Sequence, residues 1–193
     1  MRLALFGGTF DPIHKAHLTI AQTAARRFRL DRVLFVPAAH PPHKVSVTHT
    51  PYEHRVRMAE LACRGHARFE VSRLEAGTDR SYSIDTIEKM RTHMAADDQL
   101  FFLIGADAFA EIRTWRRWRD VARAVRFLVV SRPGCVYHAP PEVELERLAS
   151  LQLPVSSSDI REALAAGRRP RDVPKPVLDY IFANGLYGTR ATA

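Results

Sequence analysis

Apolar positions along the chain fall into two kinds of run. Short runs rich in β-branched and aromatic residues occur at 2–6, 32–36, 69–71, 100–104 and 125–130, and they read as strands. The run 100–104 (Leu100, Phe101, Phe102, Leu103, Ile104) is the most apolar and predicts a central strand buried on both faces. Between these runs the apolar residues recur at helical spacing. Leu18, Ala21, Ala24, Ala25 and Phe28 predict a first helix. Val56, Met58, Ala59, Leu61 and Ala62 predict a second, begun by Thr50 as N-cap with Pro51 and Glu53 behind it and stopped near Gly65. Ile84, Ile87, Met90 and Met94 predict a third, with Ser83 as its N-cap. A helical patch with Trp115 and Trp118 precedes 125–130.

Toward the C-terminus, residues 142–149 read as a short acidic helix and 151–155 as a last strand, which Pro154 places at an edge. Two helices follow, about 160–166, capped by 156–159 and closed by Gly167, and 173–184, closed by Gly185. There is no internal repeat, low-complexity segment or linker. Residues 1–193 therefore read as one domain, with 156–193 as a C-terminal helical subregion. A strand–helix–strand unit within the first 36 residues implies parallel strands and a right-handed crossover. The alternation as a whole predicts an α/β protein with a mainly parallel sheet.

In such a sheet ligands bind outside the carboxyl ends of the strands. Three polar stretches lie at predicted strand ends: 7–17, 105–107 and 156–161. A fourth, Pro41-Pro42-His43-Lys44, follows the second strand. The first is the most informative. Gly7 and Gly8 let a ligand approach the backbone. A helix starting at about 14–17 aims its free N–H groups at the turn, and His14 and His17 can donate to one anion. This is not a dinucleotide fingerprint, which needs G-x-G-x-x-G, nor a Walker A loop, which needs Gly-Lys-Ser/Thr.

Composition narrows the class. With 46% apolar and 26% charged residues, the 193-residue chain is an ordinary globular sequence. No apolar run approaches the roughly 20 residues of a membrane helix. Cys63 and Cys135 match no metal or redox spacing, and they read as reduced thiols of a cytoplasmic protein. A net charge of +8, with arginines clustered at 113–126 and 168–171, points to a polyanionic partner or to a solvated basic surface.

Several motifs then coincide with one family. Gly7-Gly8-Thr9-Phe10-Asp11-Pro12-Ile13-His14 through His17 resembles the GG[ST]FDPxHxGH signature of nucleotidyltransferases related to class I aminoacyl-tRNA synthetases. Residues 155–161 resemble their second signature, ISSTxIR. The stretches Pro41-Pro42-His43-Lys44, Ser81-Tyr82-Ser83, Ile104-Gly105-Ala106-Asp107 with Thr114-Trp115, and Gly185-Leu186-Tyr187 resemble bacterial nicotinate-nucleotide adenylyltransferases in particular. The resemblance implies a Rossmann-like nucleotidyltransferase fold, with helices on both faces of a twisted sheet. It implies transfer of AMP from ATP to nicotinate mononucleotide, giving nicotinate adenine dinucleotide and pyrophosphate in NAD biosynthesis. Magnesium would arrive with ATP, and no protein residue is expected as a metal ligand.

Roles follow by resemblance. His14, His17 and Arg161 would be catalytic. Gly7, Gly8, Thr9, Phe10 and Gly105 would line the ATP site; Asp107 would accept from the ribose, and Arg132 would lie beside the adenine. Ser156, Ser157 and Arg161 would hold the leaving pyrophosphate. Lys44, with His43, would pair with the mononucleotide phosphate, Trp115 would stack on the pyridine ring, and main-chain N–H groups near Ser83 would meet the carboxylate. Ala16 and Ala38 depart from the glycine and asparagine usual in relatives. The expected partners are ATP and nicotinate mononucleotide, with no nucleic acid and no membrane; a homo-oligomer stays open. Alternatives are an adenylyltransferase for nicotinamide mononucleotide or phosphopantetheine, and a basic nucleic-acid-binding protein.

Overall fold

The computed structural model describes residues 1–40, 50–131, 137–148 and 155–190. Six parallel strands form one sheet: β1 (Arg2–Gly8), β2 (Arg32–Pro37), β3 (Phe69–Val71), β4 (Gln99–Gly105), β5 (Arg126–Val130) and β6 (Leu145–Leu148). Their order is β3-β2-β1-β4-β5-β6. The direction in which the chain crosses the sheet therefore reverses between β1 and β4, whose register runs from Arg2↔Gln99 to Phe6↔Leu103. Such a reversal splays the connections apart and opens a crevice above the carboxyl ends.

The helices are α1 (Lys15–Arg27), α2 (Tyr52–Cys63), α3 (Ser83–Arg91), α4 (Ala106–Ala110), α5 (Trp118–Ala124), α6 (Ser157–Ala165) and α7 (Lys175–Ala183). The period of two in β1 sends successive side chains to opposite faces. Ala4 and Phe6 join a core with α1, α2, α6 and α7. Leu3 and Leu5 join another with α3, α4 and α5. Ile160, Leu164, Val177 and Ile181 are buried in the first of these, so the C-terminal helices complete one face of the sheet. Among the described residues no helix is long and apolar enough to cross a membrane.

Three local expectations change. Residues 145–148 are not part of an acidic helix; they form the edge strand β6, paired from Phe127↔Leu145 to Val130↔Leu148. The edge of β5 offers unpaired backbone groups, and pairing them with Leu148 buried outweighs helix propensity. The strand expected at 151–155 lies outside the described residues save Val155, which is not in a strand. The caps of α2 and α3 fall one residue away from the expected positions, at Pro51 and at Tyr82, so Ser83 opens α3 rather than capping it.

The basic cluster at 113–126 is interleaved with carboxylates. Arg116 pairs with Asp85, Arg117 with Glu88 and Asp120, Arg123 with Asp120, and Arg126 with Glu144. These exposed pairs add little stability, but they divide the cluster into local pairs. Cys63 is buried in α2, and desolvation pushes its thiol up to about 12, which leaves it unreactive at neutral pH. Cys135 lies outside the described residues.

Candidate active site

A cavity of about 560 Å³ opens at the β1–β4 reversal. Its walls bring together Gly7 to Asp11, His14, His17, Gly105, Asp107, Ser156, Ser157 and Arg161. A second cavity, of about 200 Å³, shares Gly7, Gly8 and Thr9 with the first and is closed by Ser83 and Trp115. Two chambers thus meet over one glycine turn. Lys44, His43 and Arg132 lie outside the described residues.

The two glycines serve different needs. A Cβ on Gly8 would sit 2.9 Å from the Phe10 ring, so internal packing already demands glycine there. A Cβ on Gly7 would make an ordinary 3.7 Å contact with Phe102, so packing alone does not exclude a side chain. Phe10 has φ +50, an unfavourable region for an aromatic residue. Its ring is buried between Phe6, Phe35 and His17, and that packing holds the turn in shape. Phe10 therefore contributes its backbone position and a buried ring. Ala16 is buried and lines the larger cavity.

His14 is the N-cap of α1, with extended backbone, and not a residue of its first turn. Its N–H donates to Nδ1 of His17 at 3.2 Å. That bond puts the His17 ring proton on Nε2 and fixes the ring in one tautomer. The two imidazoles lie face to face, with centroids 3.8 Å apart and planes inclined by 32°. His14 is only 4% exposed, and its Nδ1 has no hydrogen-bond partner. Burial, opposed in part by Asp172, lowers its pKa to about 4, so the ring is neutral at pH 7. In that form it can offer an N–H dipole but not a full positive charge.

This shift gives a pH prediction. An ordinary histidine in the unfolded chain takes a proton near pH 6.5, while the buried ring resists until about pH 4. Between these values the unfolded state binds more protons, so stability is present above pH 6.5 and falls as pH drops toward 4. The loss for this one group is on the order of 3 kcal/mol. Urea unfolding of wild type and His14→Asn across that window should show a flatter dependence in the variant. Parallel curves would show that His14 is not the group responsible.

The opposing wall is α6. Ser156 caps it, its hydroxyl accepting from the Asp159 N–H at 3.1 Å. Ser157 donates to the Pro12 carbonyl at 3.0 Å. Arg161 donates to the Asp11 carbonyl at 2.7 Å and to the Ser158 hydroxyl at 3.2 Å. The two signature stretches, far apart in the chain, thus bond directly to one another. Arg161 uses part of its five-donor fork as a strut, and it lines the larger cavity. Asp107 stands exposed in the first turn of α4. A Cβ on Gly105 would meet no atom within 4 Å, which is space at the cavity wall. Trp115 packs edge-on against Phe102 at 5.8 Å and closes the smaller chamber.

Four residues at this site have no role assigned from the sequence. Asp11 is buried, and its carboxylate accepts from the Tyr187 hydroxyl at 2.6 Å. Burial and Asp11 push the Tyr187 phenol well above its ordinary value. Arg55 and Glu75 are buried beside the smaller chamber, and Arg55 is just 1% exposed. A charged residue on a predicted core face, such as Arg55 between Met58 and Pro51, was the available signal.

A six-stranded parallel sheet with a cavity at its reversal, walled by a glycine turn, two imidazoles and an arginine, defines an α/β protein of the Rossmann-like kind. A family model described as cytidylyltransferase-like matches residues 5–163. A relative from Solibacter usitatus, named "probable nicotinate-nucleotide adenylyltransferase", is 68% identical over 97% of this chain and 100% of its own length. One of the same name from Thermus thermophilus is 44% identical, again over 97% and 100%. The fold is similar to that of Plasmodium falciparum nicotinic acid mononucleotide adenylyltransferase complexed with NaAD, with a TM-score of 0.80 at 18% identity and 98% of each chain covered. The chain belongs to the cytidylyltransferase-like family and, within it, to the nicotinate-nucleotide adenylyltransferases.

Proposed function

We propose that this protein transfers AMP from ATP to nicotinate mononucleotide, forming nicotinate adenine dinucleotide and pyrophosphate. The observation that carries the reading is the pair of cavities sharing Gly7, Gly8 and Thr9, one walled by His14, His17 and Arg161 and the other by Ser83 and Trp115. Two nucleotides held in these chambers would meet over the turn. An oxygen of the mononucleotide phosphate attacks the α-phosphorus of ATP, a new P–O bond forms, and the bond to the β-phosphate breaks opposite it. Positioning and charge neutralisation are then the main work of the protein.

His17, through Nε2–H, and His14 donate to the α- and β-phosphate oxygens as charge develops. The N-terminus of α6, with Ser156, Ser157 and the remaining donors of Arg161, receives the pyrophosphate. Asp107 accepts from the ribose hydroxyls. Trp115 stacks on the pyridine ring, and the N–H groups at the start of α3 near Ser83 meet its carboxylate. Lys44 and His43, toward the mononucleotide phosphate, and Arg132, toward the adenine, complete the assignment from the sequence. Residues 1–193 act as a single nucleotidyltransferase domain of the cytoplasm.

Magnesium belongs to this reading as a partner of ATP. Among the described residues no three metal-ligating side chains converge. The described carboxylates lining the larger cavity are Asp11 and Asp107, and Asp11 already accepts from Tyr187. That donor set fits an ion held chiefly by phosphate oxygens and water, the usual habit of magnesium. When bound, it would neutralise charge on the phosphates.

Pyrophosphate release should be magnesium-dependent with ATP and nicotinate mononucleotide. It should be roughly tenfold or more weaker with the amide form, whose neutral group forfeits a charge-assisted contact, and absent with phosphopantetheine. Turnover with none of the three would remove the reading. Salt-sensitive retention of DNA or RNA in its place would favour the basic-module alternative.

A further inference from the structure

We propose that Arg55 is the positioning residue that holds the ATP turn and the mononucleotide chamber at their working separation. This inference rests on the function proposed above. Arg55 lies on α2 and is not itself a wall residue of either chamber. Its guanidinium gathers main-chain carbonyls from three separate stretches. Nη1 donates to Thr9 at 2.8 Å and to Ala38 at 2.7 Å, Nη2 to Ala39 at 3.3 Å, and Nε to Thr50 at 3.0 Å. Thr9 belongs to the glycine turn. Ala38 and Ala39 follow β2, and Thr9 and Ala38 both line the smaller chamber.

The same dipeptide is held from its amide side. The Ala38 N–H donates to the Gly8 carbonyl at 2.9 Å, and the Ala39 N–H to Glu75 Oε2 at 3.4 Å. Glu75 Oε1 in turn accepts from the Thr86 hydroxyl at 2.8 Å, which ties α3 into the network. Both Arg55 and Glu75 are buried, so a cation and an anion are kept out of water to fix neutral backbone. Burying them is costly unless the bonds they make matter. Tyr52 lies beneath the guanidinium, 5.6 Å from ring centroid to Cζ, and limits its movement.

Only arginine suits this place. Four carbonyls on diverging vectors match a planar fork, whereas lysine offers three donors from one point. Loss of the fork frees Thr9 and Ala38 to drift, and a shift of about 1 Å in substrate placement can cost about 10²-fold in rate.

The test compares wild type, Arg55→Lys and Cys63→Ala, all assayed well below their unfolding temperatures. Cys63 is buried on the same helix but contacts neither chamber, so its truncation controls for lost stability. Arg55→Lys should lower kcat/KM for nicotinate mononucleotide by about 10²-fold, with both kcat and the mononucleotide KM affected. Amide hydrogens of Ala38 and Ala39 should exchange at least about tenfold faster, while those of β4 keep their protection. Cys63→Ala should lower the unfolding temperature and leave kcat/KM unchanged.

A folded Arg55→Lys protein with wild-type kcat/KM, or with unchanged exchange at Ala38 and Ala39, would overturn the proposal. If wild type itself shows no turnover, the function reading fails and the exchange measurement alone decides the positioning role. If Arg55→Lys does not fold, Glu75→Gln takes its place and should speed exchange at Ala39 and lower kcat/KM. A folded Glu75→Gln protein with wild-type values of both would equally sink the idea.

Discussion

His17→Ala should reduce turnover by at least about 10²-fold while leaving the fold intact, as removal of a preorganised donor to a developing charge does. His17 is only half-buried and stands at the start of α1, so alanine, a good helix former, keeps the helix and forfeits about 1 kcal/mol for the bond from the His14 N–H. Its ring is committed in orientation. Nδ1 accepts from the His14 N–H, and the ring is bracketed by Phe10 at 5.1 Å and His14 at 3.8 Å. With Nδ1 accepting, the ring proton sits on Nε2 in the neutral form. Steady-state pyrophosphate release and thermal unfolding, measured on the same preparation, decide the matter. The deficit should sit in kcat more than in either KM, because the bond proposed for His17 would strengthen as the β-phosphate departs. An active variant would remove His17 from the chemistry, and an unfolded one would make it a structural residue.

Asp11→Ala should lower stability by roughly 3 kcal/mol, because it strands a buried hydroxyl and removes a charge-assisted hydrogen bond. For a chain of this length that is a drop of about 6–12 °C in unfolding temperature. Asp11 is 2% exposed and accepts from Tyr187, 176 residues along the chain, while its own carbonyl receives Arg161. The first signature is thereby bolted to the C-terminal segment and to α6 at once. Tyr187→Phe should reproduce a smaller share, about 1–2 kcal/mol, since it removes the same bond without stranding a buried hydroxyl. Calorimetry with saturating magnesium, beside activity, distinguishes this from a metal-ligand role. Loss of activity without loss of stability would show that Asp11 serves the ion and not the turn.

Both predictions concern one stretch, yet they differ in how visible their basis was beforehand. The histidines stood out because imidazoles after a glycine turn have few structural uses. Their relation to each other did not: the sequence places them three apart on a helix, whereas His14 precedes the helix, its main-chain N–H bonds to the His17 ring, and the two rings pack against each other. Likewise Gly8 looked like an opening for a ligand, and the structure shows it making room for Phe10. Arg161 reads from the sequence as a grip on pyrophosphate, and the structure shows it as a strut to Asp11. In each case the structure places the residue at the cavity around the turn, and the distribution of its hydrogen bonds was not readable.

What the sequence determined by itself was the alternation of strands and helices, the parallel sheet and the residues at its carboxyl ends. Those follow from local periodicity and from glycine, proline and histidine at marked positions, and such signals act within a few residues. Tertiary structure alone decided that 145–148 would join the sheet as β6, because a four-residue edge strand is held by its neighbour's unpaired groups and not by its own propensity. It alone decided that Tyr187 would answer Asp11, and that Arg55 would hold Thr9, Ala38, Ala39 and Thr50 together. A main-chain carbonyl is the same in every residue, so a side chain that binds carbonyls leaves no partner in the sequence to be found. Only the folded chain brings them within reach.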